Sequence, residues 1–421
     1  MKIDRGLLMT LGAALTTAAC ATAGTGATAP SGPTTTVALP QVTCAPGTFA
    51  GTPTLDSAAV ALATIEAMSD QSQHAALYAR ALDQARRGTT TDAQNAYGYF
   101  LAGQAAVNTG AFAEAVTFYN RATELCPALA EYDINRQRRQ GANLAFNRAS
   151  SLLQAQDTTA ALTALNAAAS LDPTMPQPHF TLGLVNFTRQ NTGEAVRHWR
   201  RTVQLLESLP ADSSAEVNSN RADVHSNTLN ALVLAGVQYL QRDSSAQAAT
   251  LLEEMMRRLP NSADASYHYA LALYNLERWR DLVPAGQRAT TLAPLSNGAW
   301  LLYYNGFAGQ AQAASEARQT AQANDFSRQA AAIRTQSEAL PVQLDRVQLD
   351  VDDTGTQIRG EAVGNGPTAP VQVEFTVYGV SGPVGTGQVT VTPPARGQRA
   401  PFQLTIANTS PISGYSYRVV R

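Results

Sequence analysis

Lysine is almost missing from this chain: Lys2 is the only one, and every other basic residue is arginine. A P-loop lysine, a Schiff-base lysine and a catalytic Ser–Lys pair are thereby excluded beyond the N-terminus. Charge is sparse as well. Charged residues make up 15% of the sequence and the formal net charge is −2, which gives no general pull toward nucleic acid or an anionic membrane surface. The three cysteines, Cys20, Cys44 and Cys126, form no CxxC pair. His74, His179, His198, His225 and His268 stand at no metal-ligand spacing, and HExxH, G-x-S-x-G and a phosphate-cradling glycine run are all lacking. Glu253 and Glu254 are adjacent on a helical stretch and do not face one another, so they form a solvated face and not an acid/base pair. The expectation is a protein that is not an enzyme, with no cofactor, no metal site, no nucleic-acid partner and no small-molecule substrate.

What is present begins with an export signal. Lys2 and Arg5 precede an uncharged run from Gly6 to Ala19 that is too short to be a convincing membrane span. Thr17-Ala18-Ala19-Cys20 resembles a bacterial lipobox, with Thr17 where that family usually has Leu. The resemblance implies lipidation of Cys20, and Ala21 after it implies sorting to an outer membrane. The alternative is cleavage after Ala21 or Ala23. Residues 21–54 carry no charge and are dominated by Thr, Ala, Gly and Pro, the composition of a disordered tether. With Cys44 in that tether and Cys126 at a repeat boundary, the expectation is a free, partly buried Cys126, with pairing as the alternative.

Residues 96–129 carry Tyr99, Gly103, Gly110, Phe112, Ala115, Tyr119, Ala122 and Pro127 at the places where two antiparallel helices need bulky, small, turn, bulky, small, bulky, small and stop. This 34-residue pattern resembles the tetratricopeptide (TPR) repeat. The phase returns over 142–175 (Ala149, Ala161, Leu165, Ala168, Pro173) and 176–209 (Gly183, Ala195, Trp199). It returns again over 229–262 (Leu232, Gly236, Tyr239, Ala248, Leu252, Pro260) and 263–296 (Ala270, Trp279, Ala289, Pro294), where Leu282 and Gly286 weaken the second helix. Residues 55–88 read as a capping helical hairpin or a degenerate first repeat, and 130–141, with Arg136, Arg138 and Arg139, as a solvated helix extension. Residues 210–221 read as a loop. Another first helix starts near Trp300, and 309–340 runs on as a long polar Ala/Gln/Arg helix closing the array.

In the TPR family the fifth residue of each repeat commonly faces a concave groove, so the resemblance implies a peptide-binding groove. Here those residues are Phe100, Phe146, Phe180, Val233 and Tyr267. Tyr97, Phe187 and Tyr274 extend the apolar and aromatic lining, and Asn108 edges it. Neither Lys nor Asn occupies the fifth position, which excludes the charged clamp by which some TPR domains hold acidic C-termini. Two readings remain open: a groove for an apolar or amphipathic segment, or packing against neighbouring helices or another element of the same chain.

Composition changes at Pro341. Val371, Val373, Phe375 and Val377 alternate with polar residues, and so do Val347, Leu349 and Val351; Val389 and Val391; Phe402, Leu404 and Ile406; and Tyr415, Tyr417 and Val419. About six or seven short strands in this span predict a small β-sandwich. Phe375-Thr376-Val377-Tyr378 resembles the signature of the FxLYD family of Ig-like bacterial surface modules, with Val377 for Leu and Gly379 for Asp; that implies protein contact. Asp350, Asp352, Thr354, Gly355 and Glu361 have calcium-loop spacing, but the flanking segments read as strands, so Asp352 to Gly355 is read as their turn.

The expected fold class is multi-domain α plus β: a signal over 1–20, a tether over 21–54, an all-α TPR superhelix over 55–340 and a small all-β Ig-like sandwich over 341–421. The expected function is a protein-binding scaffold of the bacterial cell envelope with a protein or peptide partner. Its expected place is the periplasmic face of the outer membrane, touching membrane only through a lipid at Cys20, or soluble in the periplasm. The alternative is a lipoprotein subunit of an outer-membrane assembly or secretion apparatus.

Overall fold

The computed structural model describes residues 41–352, 355–366, 369–407 and 412–420. The signal, the lipidation call at Cys20 and the tether as far as residue 40 lie outside the described residues, as do Asp353 and Thr354. The chain divides into two compact units between Arg189 and Gln190.

The N-terminal unit is built from helices α1 (Pro53–Ala67), α2 (His74–Thr91), α3 (Ala96–Thr109), α4 (Phe112–Leu125), α5 (Asn135–Gln154), α6 (Thr158–Leu171) and α7 (Pro176–Thr188). Start signals are local. Thr52 accepts from the Leu55 N–H at 3.3 Å, with Pro53 at the first helical position, and Asn95 accepts from the Tyr97 N–H at 3.1 Å. The hairpin α3–α4 closes on Gly103: a Cβ there would stand 2.5 Å from the Tyr119 ring, so only glycine lets that ring lie against the facing helix. Gly236 meets Leu252 in the same way, at 2.6 Å.

Cys126 is not free; it forms a disulfide with Cys44. Residues 41–52, expected within the disordered tether, have a defined course along the helices, with Val42, Cys44 and Phe49 packed against the core. The covalent link supplies what this composition lacks. The 130–141 insertion is only partly solvated. A π-helical turn at Ala130–Ile134 leads into α5, and Gln137 is buried, accepting from the Tyr119 hydroxyl at 2.6 Å and donating to Asp133.

The C-terminal unit contains α8 (Thr192–Ser208), α9 (Ala215–Gln241), α10 (Ser245–Arg258), α11 (Ala263–Asn275), α12 (Trp279–Leu292), α13 (Asn297–Glu316) and α14 (Thr320–Glu338). The 210–221 loop is shorter than expected, because Ser214 accepts from the Val217 N–H at 3.3 Å and starts α9. The second helix of 263–296 is intact despite Pro284 inside it. Gly286 does not weaken it in place: a Cβ there would lie 2.6 Å from the Tyr303 Cα, so glycine sets the spacing between α12 and α13. The expected long helix over 309–340 is instead a hairpin, broken at Arg318 with φ 58°.

That break belongs to a series. Gly110, Gln156, Asp243, Glu277 and Arg318 sit between paired helices, each with φ between 53° and 79°. In these five turns the next residue's N–H reaches back five positions: Ala111 to Ala106, Asp157 to Leu152, Ser244 to Tyr239, Arg278 to Leu273 and Gln319 to Ala314. This is a Schellman cap with a left-handed residue at its corner.

Strands β1 (Val342–Asp352), β2 (Gly355–Gly364), β3 (Val371–Gly379), β4 (Gly382–Val391), β5 (Arg399–Ile406) and β6 (Gly414–Val420) form two antiparallel three-stranded sheets, ordered β1-β2-β5 and β4-β3-β6. Their inner faces meet around Phe375, whose ring lies 6.1 Å from Phe402 of the opposite sheet. In β1 the fully buried residues are Val342 and Leu344, ahead of the alternation read at 347–351. A register irregularity between Asp345 and Gln348, with Arg346 at φ 51°, separates the two stretches. The β-module shares one apolar core with Ala263, Ala293 and Leu295 of the α11–α12 hairpin.

Candidate functional site

The first helices of successive hairpins lie side by side: α1, α3 and α5 in the N-terminal unit, and α9, α11 and α13 in the C-terminal unit. The residues expected to line a groove are on them and on α7, but most do not face outward. Tyr97, Phe100, Phe146, Phe180, Phe187 and Val233 are all buried. Their small neighbours, such as Ala102, Ala105 and Ala106 on α3, are fully covered, so helices approach closely and the bulky side chains are held between them. These six side chains are packed in the structure. Burial, and then the Asp56 carboxylate, push the Tyr97 hydroxyl up to about 12.

The remaining three stay accessible. Asn108 is exposed and donates to the Gln104 carbonyl at 2.8 Å. Tyr274 is 38% exposed, with its ring edge-on to Trp279 at 5.7 Å. Tyr267 is half-buried beside His268, and burial, followed by the Asp345 charge, raises its hydroxyl above the ordinary tyrosine value. Tyr267, Leu271 and Tyr274 are spaced i, i+4, i+7 and share one face of α11. On α9 half-buried Val237 and Leu240 stand at the positions of Leu271 and Tyr274, with buried Val233 at that of Tyr267; on α13 the position of Tyr267 is Leu301, 54% exposed. Together they make an apolar strip with two tyrosine hydroxyls, able to hold an apolar or amphipathic segment and lacking any converging acid and base.

Two clefts lie off this strip. One of about 470 Å³ at Gln190, Thr192 and Tyr239 is crossed by Arg242, which donates to the Gln190 carbonyl at 2.8 Å. Another of about 240 Å³ lies between the α10–α11 turn (Leu259, Pro260) and the β3–β4 turn (Tyr378, Val380). Among the described residues no group of three or more His, Cys, Asp or Glu could hold a metal ion, and no helix is long and apolar enough to cross a membrane. Asp352 pairs with Gly355 at the β1–β2 turn, between strands as expected.

Sequence reasoning missed the segment around Phe49. Its signal was there: Phe49 is the first aromatic residue of the chain, five residues after Cys44, in a stretch otherwise of Thr, Gly, Ala and Pro.

Residues 96–129 match the family model described as tetratricopeptide repeat. No curated protein matches the chain. Similar solved structures include MamA from residue 41 to its end, from Desulfovibrio magneticus RS-1, which is 17% identical over 46% of this chain and 95% of that one, with a TM-score of 0.27. YrrB, described as a TPR protein with an unusual peptide-binding site, is 13% identical over 46% of this chain and 87% of its own, with a TM-score of 0.27. The C-terminal part of a TPR repeat-containing protein from Cytophaga hutchinsonii is 11% identical over 66% and 95%, again at 0.27. Identities and scores this low fix neither function nor partner. Over residues 96–129 the chain is similar to the tetratricopeptide repeat, a helical hairpin that serves in protein-interaction scaffolds.

Proposed function

We propose that this chain is a non-enzymatic, protein-binding scaffold of the bacterial cell envelope, and that it holds an apolar or amphipathic segment of a protein partner along α9, α11 and α13. The observation that carries the reading is the accessible strip Tyr267, Leu271, Tyr274 and Leu301; at the repeat position of Tyr267 and Leu301 the N-terminal unit has buried Phe100, Phe146 and Phe180. Large accessible apolar side chains aligned across neighbouring helices are the ordinary mark of a contact surface. The Cys44–Cys126 disulfide supports an oxidising compartment, and the signal-like N-terminus supports export to one. Within this reading Cys20 carries a lipid, the protein stands at the periplasmic face of the outer membrane, and the β-module is an Ig-like contact module of the FxLYD type.

Two measurements test it. Capture from envelope extract with the full chain should enrich a protein partner, and Tyr267→Ser, Tyr274→Ser and Leu301→Ser together should abolish that capture. Undiminished capture by the triple variant would remove the strip from consideration. Mass spectrometry of the mature N-terminus should find an acylated Cys20; an unmodified chain starting at Thr22 or Gly24 would end the anchored version.

A further inference from the structure

Residues 48–50 are held against the start of α3 in the manner of a bound peptide. The Thr48 carbonyl accepts from the Ala96 N–H at 2.7 Å, a first-turn donor for which the helix itself has no acceptor. The Ala50 carbonyl accepts from the Asn95 Nδ2 at 2.9 Å. Between these carbonyls the Phe49 ring stands 5.1 Å from that of Tyr97, inclined at 57°. Asn95 is 1% exposed and satisfied at both ends of its amide, since its Oδ1 accepts from the Tyr97 N–H. Two carbonyls gripped on either side of one aromatic side chain is how an extended peptide is read. The segment has little else of its own: its other backbone bond is the turn from the Thr48 N–H to the Ala45 carbonyl, at 3.1 Å. Its far end is fixed by the disulfide from half-buried Cys44 to fully buried Cys126.

We propose that Asn95, Ala96 and Tyr97 form a subsite for an extended peptide bearing an aromatic residue, occupied in cis by Thr48–Ala50 and locked by the Cys44–Cys126 disulfide. The proposal rests on the protein-binding reading above but on a different surface. Unlocking takes a dithiol reductant. One of its thiolates attacks the sulfur of half-buried Cys44, Cys126 leaves as a thiolate and takes up a proton, and the second reductant thiolate displaces Cys44, which is protonated in turn. The products are two cysteine thiols and the reductant's own disulfide. Reduction alone leaves the segment joined to α1 through Gly51 and Thr52, at a millimolar-scale effective concentration. An outside peptide therefore competes well only when Phe49 is also lost.

The test uses the full chain and a labelled peptide copying residues 45–52. The oxidised wild-type chain should bind it at least about tenfold more weakly than Cys44→Ser/Phe49→Ala, and the same peptide with its Phe replaced by Ala should not bind the variant. Equal binding to both chains, with the variant's helical circular dichroism retained, overturns the proposal. Hydrogen exchange on the wild-type chain needs no variant. The Ala96 amide should exchange faster in reductant; unchanged exchange on reduction overturns the lock. Capture through the Tyr267–Leu301 strip is read separately, so the failure of one surface is distinguishable from the failure of the other.

Discussion

Gln156 occupies a corner that chemistry reserves for glycine. Its φ is 61°, it is exposed, and it ends α5 in the same cap that Gly110 makes after α3 at φ 79°. For an L-residue this conformation costs about 1–2 kcal/mol, because Cβ crowds the following carbonyl. Glycine removes that cost but frees the unfolded chain, which returns about 0.4–1 kcal/mol to the unfolded side. The net for Gln156→Gly is a stabilisation of about 0.5–1 kcal/mol, or about 1–4 °C in melting temperature. Gln190 has nearly the same φ, 66°, but its carbonyl and side-chain oxygen both accept from Arg242. Gln190→Gly loses the side-chain bond, worth about 0.5–1.5 kcal/mol, and should come out near neutral. Gly110→Ala should cost about 1 kcal/mol although a Cβ there meets nothing within 4 Å, so its cost is purely conformational. Urea titrations followed by helical circular dichroism separate the three. A destabilised Gln156→Gly, or a neutral Gly110→Ala, would refute the left-handed-corner account.

Other perturbations follow from the same packing. Tyr119→Phe strands the buried Gln137 Oε1 that now accepts the phenol proton and should cost about 1–3 kcal/mol in a urea titration; no loss would mean that Gln137 finds another donor. Phe375→Ala opens the β-module core, where the ring lies 4.9 Å from Tyr417, and should cost about 3–5 kcal/mol by thermal melting. His225 is held below its ordinary imidazole value by burial and by Arg258, against the opposing pull of Glu207 at 3.5 Å. Because the folded-state value is the lower one, the unfolded chain takes up the proton first. Stability is therefore full above the unfolded value near 6.5 and is lost as the pH falls from there toward the folded value. His225→Gln should flatten the denaturation midpoint between about pH 7 and pH 5, and an unchanged slope would clear His225 of that role.

The repeat phase was legible because each hairpin needs small and bulky residues at fixed places. Small Gly103 opposite bulky Tyr119, and Gly236 opposite Leu252, stand sixteen positions apart in sequence, and steric exclusion gives that spacing one meaning. Accessibility was not legible, because it depends on how closely whole helices approach. Phe100 and Tyr267 hold the same repeat position, yet Phe100 is buried while Tyr267 stays half-open beside Gly298. The Cys44–Cys126 pair joins positions 82 residues apart, and no local pattern reports contact over such a separation. The break at Arg318 escaped notice for the opposite reason: an arginine in the left-handed corner carries no turn signal, although the Schellman cap behind it is the one that Gly110 announces openly.

The change of composition at Pro341 marks a change of secondary structure without marking an independent body. The Leu344 N–H donates to the Leu295 carbonyl at 2.7 Å, Ser296 bridges Leu344 in parallel, the Tyr415 hydroxyl donates to Asp264 at 3.3 Å, and the Asn230 side chain donates to the Ile412 carbonyl. With Ala263, Ala293 and Leu295 inside the same core as Val342 and Phe375, the β-module and the α11–α12 hairpin bury each other. A chain cut at residue 340 should therefore melt at lower temperature in its helical part, since it uncovers apolar surface that a free-standing module would never have covered. If the cut chain keeps the helical melting temperature of the full chain, the shared core contributes nothing to the array. If the temperature falls, the module is the array's closing element, and Tyr267, next to Asp345 of β1, stands at a fixed place beside it.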